Sequence, residues 1–323
     1  LAITLGQIAA ALVTGNTVIA KASEETSLIA FKAAGLFFNH GLPKDALHLL
    51  LGDGRVGQAI ITSQALDLVV FTGSLKTAKS IHNSLSNKSG KIVPLIAETG
   101  GLNSMVVDSS ALIERACDDI MRSAFNSAGQ RCSALRLLLV HETIYEELIL
   151  MLKGMMSELI IGNPSNSSVD MGPIISVEAA QELYDYINRS DPERLAIFQP
   201  QAPDEHRKQW FLPTLIELKS INTLNEEKFG PILHVLKFSE KTLDSQLEQI
   251  TAKGFGLTFG IHTRIDAKAI HASKLVSAGN TYINRDIIGA VVESQPFGGK
   301  NLSGTGFKAG GPNYLMQFTD ERT

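Results

Sequence analysis

The chain has 323 residues, 44% of them hydrophobic, and a formal net charge of −4 at pH 7. This length allows about two domains with a large apolar core, and the nearly neutral charge argues against a nucleic-acid-binding surface. No apolar run approaches the roughly 20 residues of a membrane-spanning helix. The two cysteines, Cys117 and Cys132, are too few for a disulfide framework, so a reducing compartment, the cytoplasm, is expected.

The first hundred residues alternate the sequence signals of strands and helices. Short apolar runs at residues 17–21, 46–51, 67–71 and 91–97 predict strands, and helical patterns lie between them. Strands that alternate with helices indicate a parallel sheet with helices on its faces. We therefore predict an α/β, doubly wound, Rossmann-type domain over residues 1–100.

The alternation continues after residue 100. Strands are predicted at residues 103–107 and 135–140, and helices at residues 110–127 and 142–160. After Pro164 the pattern becomes looser. We predict a second α/β domain over residues 101–302 and a C-terminal loop and tail, 303–323, that returns to the first domain.

Two short runs carry the chemistry of the chain. Glu98-Thr99-Gly100-Gly101 places a carboxylate beside backbone that can be approached closely, and Gly129-Gln130-Arg131-Cys132-Ser133 places a thiol beside a positive charge. Positive charge favours the nucleophilic thiolate, and a carboxylate can serve as general base. The pair predicts covalent catalysis on a carbonyl carbon. In the structural alternative, Glu98 caps a helix or forms an ion pair, and Cys132 is a small buried residue.

These two runs and four others resemble, in the same order, the motifs of the aldehyde dehydrogenase superfamily. The other four are Gly15-Asn16-Thr17-Val18-Ile19-Ala20-Lys21, Phe71-Thr72-Gly73-Ser74, Glu227-Lys228-Phe229-Gly230-Pro231 and Pro296-Phe297-Gly298-Gly299. The resemblance covers nearly the whole chain and implies that Cys132 is the nucleophile and Glu98 the base. In that family, an asparagine that stabilises the oxyanion and the first strand of the cofactor domain precede this region. The N-terminal part is therefore expected to be missing.

A glycine-rich run, Gly52-Asp53-Gly54-Arg55-Val56-Gly57, fits the G-x-G-x-x-G dinucleotide fingerprint. The acidic residue expected about 20 positions later is not clear. In the family, the pyrophosphate instead meets the Phe-Thr-Gly-Ser turn. A glycine turn at a helix N-terminus presents free N–H groups to phosphate, so Gly73 and Ser74 are the preferred contacts.

The resemblance implies NAD as the cofactor. Lys21 and Glu24 are expected to hold the adenosine ribose, and the negative charge of Glu24 would repel the 2′-phosphate of NADP. Glu227 and Phe229 are expected to position the nicotinamide ribose. The set of cofactor residues implied by the family is Lys21, Glu24, Gly73, Ser74, Gly100, Glu227 and Phe229.

The flanks of the nucleophile resemble the branch of the family that oxidises L-glutamate gamma-semialdehyde to L-glutamate in proline catabolism. Arg131 and Ser133 flank Cys132 in that branch, whose substrate carries a carboxylate far from its aldehyde. Ser133 and the backbone N–H groups of Gly310 and Gly311 are expected to bind that carboxylate, and Phe318 to cover the substrate. The resemblance also implies a flavin-dependent proline dehydrogenase domain on the same full-length polypeptide.

Two alternatives stay open. The chain could be an aldehyde dehydrogenase for another aldehyde, without preference for a substrate carboxylate, or an inactive fragment that keeps the fold as an interaction module. The eight histidines are scattered without metal-ligand spacing, so no metal is expected. The sequence leaves open whether the protein is a homo-oligomer.

Overall fold

The computed structural model describes residues 1–189, 191–201, 208–289 and 293–321. The chain divides into two compact units. The first contains residues 1–99 with the described residues of segments 290–298 and 304–323, and the second contains residues 100–289 and 299–303. Within the described ranges, no helix combines the length and apolar character that crossing a membrane requires.

The first unit alternates strands with helices, as the sequence predicts. Its helices are α1 (Ala2–Val13), α2 (Ser27–Asn39), α3 (Gly54–Thr62) and α4 (Leu75–Ser86). Its strands are β1 (Val18–Lys21), β2 (Leu47–Leu50), β3 (Val69–Gly73) and β4 (Leu95–Thr99). The pairs β1–β2 and β3–β4 are both parallel, so the predicted α/β class with parallel strands is confirmed.

The strands of this unit form two ladders, whereas the doubly wound prediction implies one continuous sheet. β1 pairs with β2 and β3 pairs with β4, and no strand among the described residues joins the two pairs by hydrogen bonds. The register β3–β4 runs from Val69 opposite Leu95 to Gly73 opposite Thr99. The last residues of β3 and β4 therefore lie side by side.

Two helices of the first unit begin at side-chain caps. Asp53 accepts a hydrogen bond from the N–H of Arg55 at the start of α3, and Ser74 accepts one from the N–H of Thr77 at the start of α4. Ser23 makes no such bond. A short 3-10 turn, Glu24–Thr26, lies between it and α2.

The second unit is built on a mixed seven-stranded sheet of order β12-β11-β5-β6-β9-β8-β7, in which only the edge strand β7 is antiparallel to its neighbour. Its strands are β5 (Ser104–Val107), β6 (Leu137–His141), β7 (Arg194–Phe198), β8 (Thr214–Leu218), β9 (Ile232–Phe238), β11 (Thr258–His262) and β12 (Asn280–Ile283). A short antiparallel pair joins β10 (Phe255–Gly256) to β13 (Lys300–Asn301). The helices are α5 (Ile113–Phe125), α6 (Tyr145–Glu158), α7 (Val177–Asn188), α8 (Leu243–Ala252) and α9 (Asp266–Leu275).

Apolar side chains cover both faces of the large sheet. Along β5, Val106 belongs to one buried cluster, while Met105 and Val107 belong to the other, because successive residues of a strand point to opposite faces. Helices α5 and α6 contribute to one cluster, and α7, α8 and α9 contribute to the other. Strand β6 thus lies between two parallel neighbours in a part of the sheet that is buried on both faces, and the loop that leads into it from α5 carries Cys132.

Candidate active site

The Cys132 turn, residues 126–133, connects α5 to β6. Three consecutive residues in it, Ser127, Ala128 and Gly129, have left-handed backbone with φ of 57°, 54° and 63°. Glycine adopts this conformation without strain, whereas a non-glycine residue, here Ser127 or Ala128, adds about 1–3 kcal/mol of conformational strain. The turn therefore depends on contacts with the rest of the unit.

Gly129 provides the first of these contacts. A Cβ atom at this position would collide with the carbonyl oxygen of Gly230. The glycine thus lets the Cys132 turn pack directly on the backbone of residues 227–231, which we call the Glu227 loop. Two segments that the sequence analysis identified separately are in contact here.

Gln130 holds the turn from another side. Its Nε2 donates to the carbonyls of Ser127 and Pro173, both at 3.2 Å, and its Oε1 accepts from the N–H of Ile175 at 2.8 Å. In the sequence, Gln130 stands out only as part of the motif around the thiol. Its amide is in fact a fixed connection between the turn and a neighbouring loop.

Asn103 fixes the far end of the turn. Its buried Nδ2 donates to the carbonyl oxygens of Cys132 at 2.7 Å and Ala134 at 2.9 Å, while its Oδ1 accepts from the N–H of Thr258 at 3.1 Å. Sequence reasoning missed this residue. The available signal was a polar side chain directly before the apolar strand β5.

The two cysteines lie in different surroundings. Cys117 is completely buried within α5, and burial raises the pKa of its thiol to about 12. Cys132 is partly exposed. Because the reactive form of cysteine is the thiolate, Cys117 is unsuited to nucleophilic chemistry, and Cys132 is the candidate.

Arg136 and Glu227 form a buried ion pair behind the turn. The guanidinium Nε and Nη2 donate to Glu227 Oε1 at 3.2 and 2.9 Å. Burial raises the pKa of the Glu227 carboxyl, and Arg136 acts in the opposite direction. Sequence reasoning missed Arg136, although a single charge in the apolar run around Leu135 and Leu137 was a signal.

Gly100 lies against the same carboxylate. A Cβ at Gly100 would overlap Glu227 Oε2, and the backbone N–H of Gly101 also hydrogen-bonds Glu227. Two residues predicted for the cofactor site, Gly100 and Glu227, are therefore in contact. Phe229 is the third residue of the second unit that was predicted for the cofactor site. Its side chain is about half exposed, and the centroid of its ring lies 5.5 Å from the guanidinium carbon of Arg136.

The two residues beside the nucleophile differ in exposure. Ser133 is buried, and its carbonyl accepts from the hydroxyl of Thr258. Arg131 is exposed, and its Nε donates to the hydroxyl of Ser127 at 3.1 Å. The Arg131 guanidinium is therefore partly engaged within its own turn.

In the first unit, Glu98 lies on β4 opposite Thr72 of β3. Its carboxylate rests against two glycines, since a Cβ built on Gly298 or Gly304 would be 3.1 or 2.8 Å from Glu98 Oε1. The Pro-Phe-Gly-Gly run thus contributes backbone that accommodates this carboxylate. A larger residue at either position would displace it.

The residues predicted to hold the adenosine ribose also lie in the first unit. Lys21 ends β1, and its Nζ is 3.2 Å from Glu24 Oε2. A backbone hydrogen bond and the Lys21 side chain lower the pKa of Glu24, so this carboxylate stays charged. Gly73 ends β3, and Ser74 caps α4 directly after it.

The glycine-rich fingerprint at the start of α3 has a different role. Asp53 Oδ1 accepts from the N–H of Arg55, and Oδ2 accepts from the Arg55 Nε at 2.8 Å. A carboxylate therefore already lies at the positive end of this helix. This arrangement favours the start of α4 over the start of α3 for a phosphate group.

The loop predicted to bind the substrate carboxylate is also ordered by its own bonds. Gly310 has φ of 71°, and the N–H of Gly311 donates to the carbonyl of Lys308 at 3.1 Å. A turn hydrogen bond therefore already uses the N–H of Gly311, and its role in binding the substrate carboxylate stays a prediction.

Phe318 lies in the core of the first unit. Its side chain is 5% exposed, packs in a cluster with Ala10 and Ile96, and meets the ring of Tyr314 edge-on at 5.3 Å. Its packing is thus explained by the hydrophobic core, and its role as a substrate cover stays a prediction.

Comparisons with known proteins extend over the whole chain. The sequence profile of the Aldehyde dehydrogenase family matches residues 1–323. The chain is 44% identical over 332 residues to Bifunctional protein PutA of Klebsiella aerogenes, a match that covers 100% of this chain and 25% of PutA. It is 34% identical to 1-pyrroline-5-carboxylate dehydrogenase of Geobacillus sp. (strain WCH70), covering 100% of this chain and 63% of that protein.

The fold is also similar to that of a solved relative. The structure of 1-pyrroline-5-carboxylate dehydrogenase from Thermus with bound NAD superposes with a TM-score of 0.92 at 29% identity, covering 98% of this chain and 62% of that one. The chain spans a quarter of the PutA relative and less than two thirds of the two dehydrogenases. Because the family profile matches every residue, the chain belongs to the aldehyde dehydrogenase family.

Proposed function

We propose that this chain oxidises L-glutamate gamma-semialdehyde to L-glutamate with NAD as the oxidant. The observation that carries the proposal is the Cys132 turn. Its partly exposed thiol stands in a left-handed turn that Gly129, Gln130 and Asn103 hold in place. A fixed thiol in a chain of this family is suited to attack an aldehyde.

The chemistry assigns separate steps to Cys132 and Glu98. The thiolate of Cys132 attacks the aldehyde carbon and forms a thiohemiacetal, whose oxyanion accepts a hydrogen bond from the Cys132 N–H. NAD bound at the residues named below would supply the acceptor for the hydride of this carbon. Glu98 removes a proton from the water that hydrolyses the resulting thioester, which releases glutamate and restores the thiol.

Each unit, taken by itself, offers groups of the kind that NAD requires. Lys21 and the charged Glu24 offer a donor and an acceptor for ribose hydroxyls, and Glu24 disfavours a 2′-phosphate. Gly73 and Ser74 at the start of α4 supply the phosphate contact. In the second unit, Glu227 would hold the other ribose. The Thermus relative solved with bound NAD supports NAD as the cofactor.

The proposed substrate rests on the relatives and on the loop residues. Relatives of this chain are named PutA and 1-pyrroline-5-carboxylate dehydrogenase. Ser133, Gly310 and Gly311 are the proposed contacts of the substrate carboxylate, and Arg131 and Phe318 are two further proposed substrate-binding residues. For Gly311, binding requires its N–H to exchange the Lys308 carbonyl for the substrate.

Two wider proposals follow from the same relatives. A proline dehydrogenase domain is proposed on the same polypeptide, because the bifunctional relatives are much longer than this chain. The cytoplasm is the proposed location, since both cysteines are thiols rather than parts of a disulfide.

Substitution of the nucleophile tests the proposal. In the protein expressed from its complete reading frame, Cys132→Ala should abolish NADH formation from glutamate semialdehyde while NAD binding stays near the wild-type value. Cys117→Ala is the matched control, and it should retain turnover because this thiol is buried in α5. Turnover of Cys132→Ala within about tenfold of wild type would overturn the assignment.

A further inference from the structure

Arg136 is an unusual residue for its position. It directly precedes β6 between two buried leucines, and its side chain is only 1% exposed. Burial lowers the pKa of its guanidinium, while Glu227 and the sulfur of Cys132 act against that effect. A buried charge of this kind must be paired and hydrogen-bonded.

The donors of Arg136 are divided between two segments. Nη2 donates to the carbonyl of Arg131, in the Cys132 turn, at 3.2 Å. Nη1 donates to the carbonyl of Gly230 at 2.9 Å, and Nε and Nη2 both reach Glu227 Oε1 in the same loop. A single planar group therefore holds the Cys132 turn and the Glu227 loop together.

Glu227 is fixed by these contacts but is still reachable. Arg136 binds its Oε1, Oε2 lies against Gly100, and the backbone N–H of Gly101 hydrogen-bonds the carboxylate. Its side chain is 15% exposed. Any ligand that uses the Glu227 carboxylate must therefore act on a group already bonded to Arg136.

We propose that Arg136 is a positioning residue that couples occupancy of the cofactor site at Glu227 to the reactivity of Cys132. This inference rests on the proposed function, in which Glu227 contacts NAD. When the carboxylate engages a ribose, its bonds to Arg136 change. The same guanidinium holds the carbonyl of Arg131, one residue before the nucleophile, so the change reaches the thiol.

The test uses NAD and iodoacetamide without any aldehyde, in the protein from its complete reading frame. Mass spectrometry of the peptide that contains Cys132 gives its alkylation rate with and without NAD. In wild type, the two rates should differ by about fivefold. Arg136→Lys should bring their ratio close to one and raise the Kd for NAD about tenfold, because lysine lacks the planar fork.

Arg194 offers a matched control. It is 6% exposed, donates to the carbonyls of Ile187 and Arg189, lies 3.7 Å from a carboxylate oxygen of Asp191, and stacks 4.4 Å over a tyrosine ring. It thus has the same types of partner as Arg136, away from the Cys132 turn. Arg194→Lys should change neither the NAD affinity nor the ratio of alkylation rates.

A double-mutant cycle separates positioning from a general structural role. If Arg136 acts through Glu227, the variant with both Arg136→Lys and Glu227→Gln should lose no more NAD affinity than the weaker-binding single variant. Independent, additive losses would overturn the inference. If Arg136→Lys does not fold, Glu227→Gln alone still tests it, because this change should also bring the alkylation ratio toward one.

Two further outcomes are decisive. If wild-type protein binds NAD but its alkylation rate does not change, the coupling is absent and the inference fails. If wild-type protein does not bind NAD, the cofactor in the proposed function is wrong. The first result leaves the proposed oxidation of the aldehyde intact, so the two failures are distinguishable.

Discussion

Ser133 is the residue at which the choice of substrate is most directly testable. It follows the nucleophile, it is buried, and its hydroxyl is a proposed contact of the substrate carboxylate. A hydrogen bond to a charged group contributes about 1.5–3 kcal/mol. Ser133→Ala should therefore lower kcat/KM for glutamate semialdehyde about tenfold to a hundredfold, measured by steady-state NADH formation.

The matched comparison is an uncharged aldehyde of similar length, whose kcat/KM should hardly change in Ser133→Ala. An equal loss with both aldehydes would mean that the serine shapes the site without binding the carboxylate. The engaged N–H of Gly311 makes this outcome a specific alternative, and it would favour a dehydrogenase for another aldehyde.

At the residue scale, the sequence identified the residues with reactive or ligand-binding groups, but not the side chains that hold these residues in place. Gly100 and Glu227 were both predicted for the cofactor site, and they are in contact. Asn103 and Arg136 were missed because their partners are mostly backbone carbonyls, including those of Cys132, Gly230 and Arg131. A carbonyl acceptor carries no signal in the sequence, so only the fold shows what these side chains hold.

At the scale of elements, hydrophobic periodicity placed the strands and helices well, but the shape of the turn between them did not follow from it. Helix α5 was predicted at 110–127 and is observed at Ile113–Phe125. The next residues include Ser127 and Ala128 in left-handed backbone, a conformation that neither residue type prefers. Contacts with distant residues impose it.

The pairing of strands in the first unit could be predicted only in part from its sequence. Alternating strands and helices correctly predicted parallel neighbours, because a crossover helix brings consecutive strands side by side in the same direction. Periodicity gives no information on which strands share hydrogen bonds. The observed separation of β1–β2 from β3–β4 therefore needed the structure.

At the scale of the whole molecule, buried histidines should make stability depend on pH. His234 on β9 bonds to the Arg136 carbonyl through Nδ1 and to the Tyr186 hydroxyl through Nε2. Since a carbonyl only accepts, Nδ1 carries the proton. Burial lowers the pKa of His234 from 6.5 to about 4. The unfolded chain thus binds more protons between these values, so stability should fall as pH falls from 6.5 to 4 by up to about 3 kcal/mol.

Hydrogen exchange of peptides from β9, corrected for intrinsic rates, measures this dependence. His234→Gln should reduce the loss of protection between pH 7 and pH 5. Part of the loss should remain, because burial also lowers the pKa of His262 to about 4. His271→Gln, on the surface of α9, is the control, and an unchanged loss in His234→Gln would show that this histidine does not contribute.

Covalent catalysis by Cys132 with Glu98 as base is the claim on which the proposed function depends. The most direct measurement is rapid-quench analysis of Glu98→Gln, in the protein from its complete reading frame, with glutamate semialdehyde and NAD. We expect a burst of about one NADH per site, a slow phase, and a glutamyl thioester on the peptide that contains Cys132. Equal loss of both phases, with no adduct on Cys132, would contradict the mechanism.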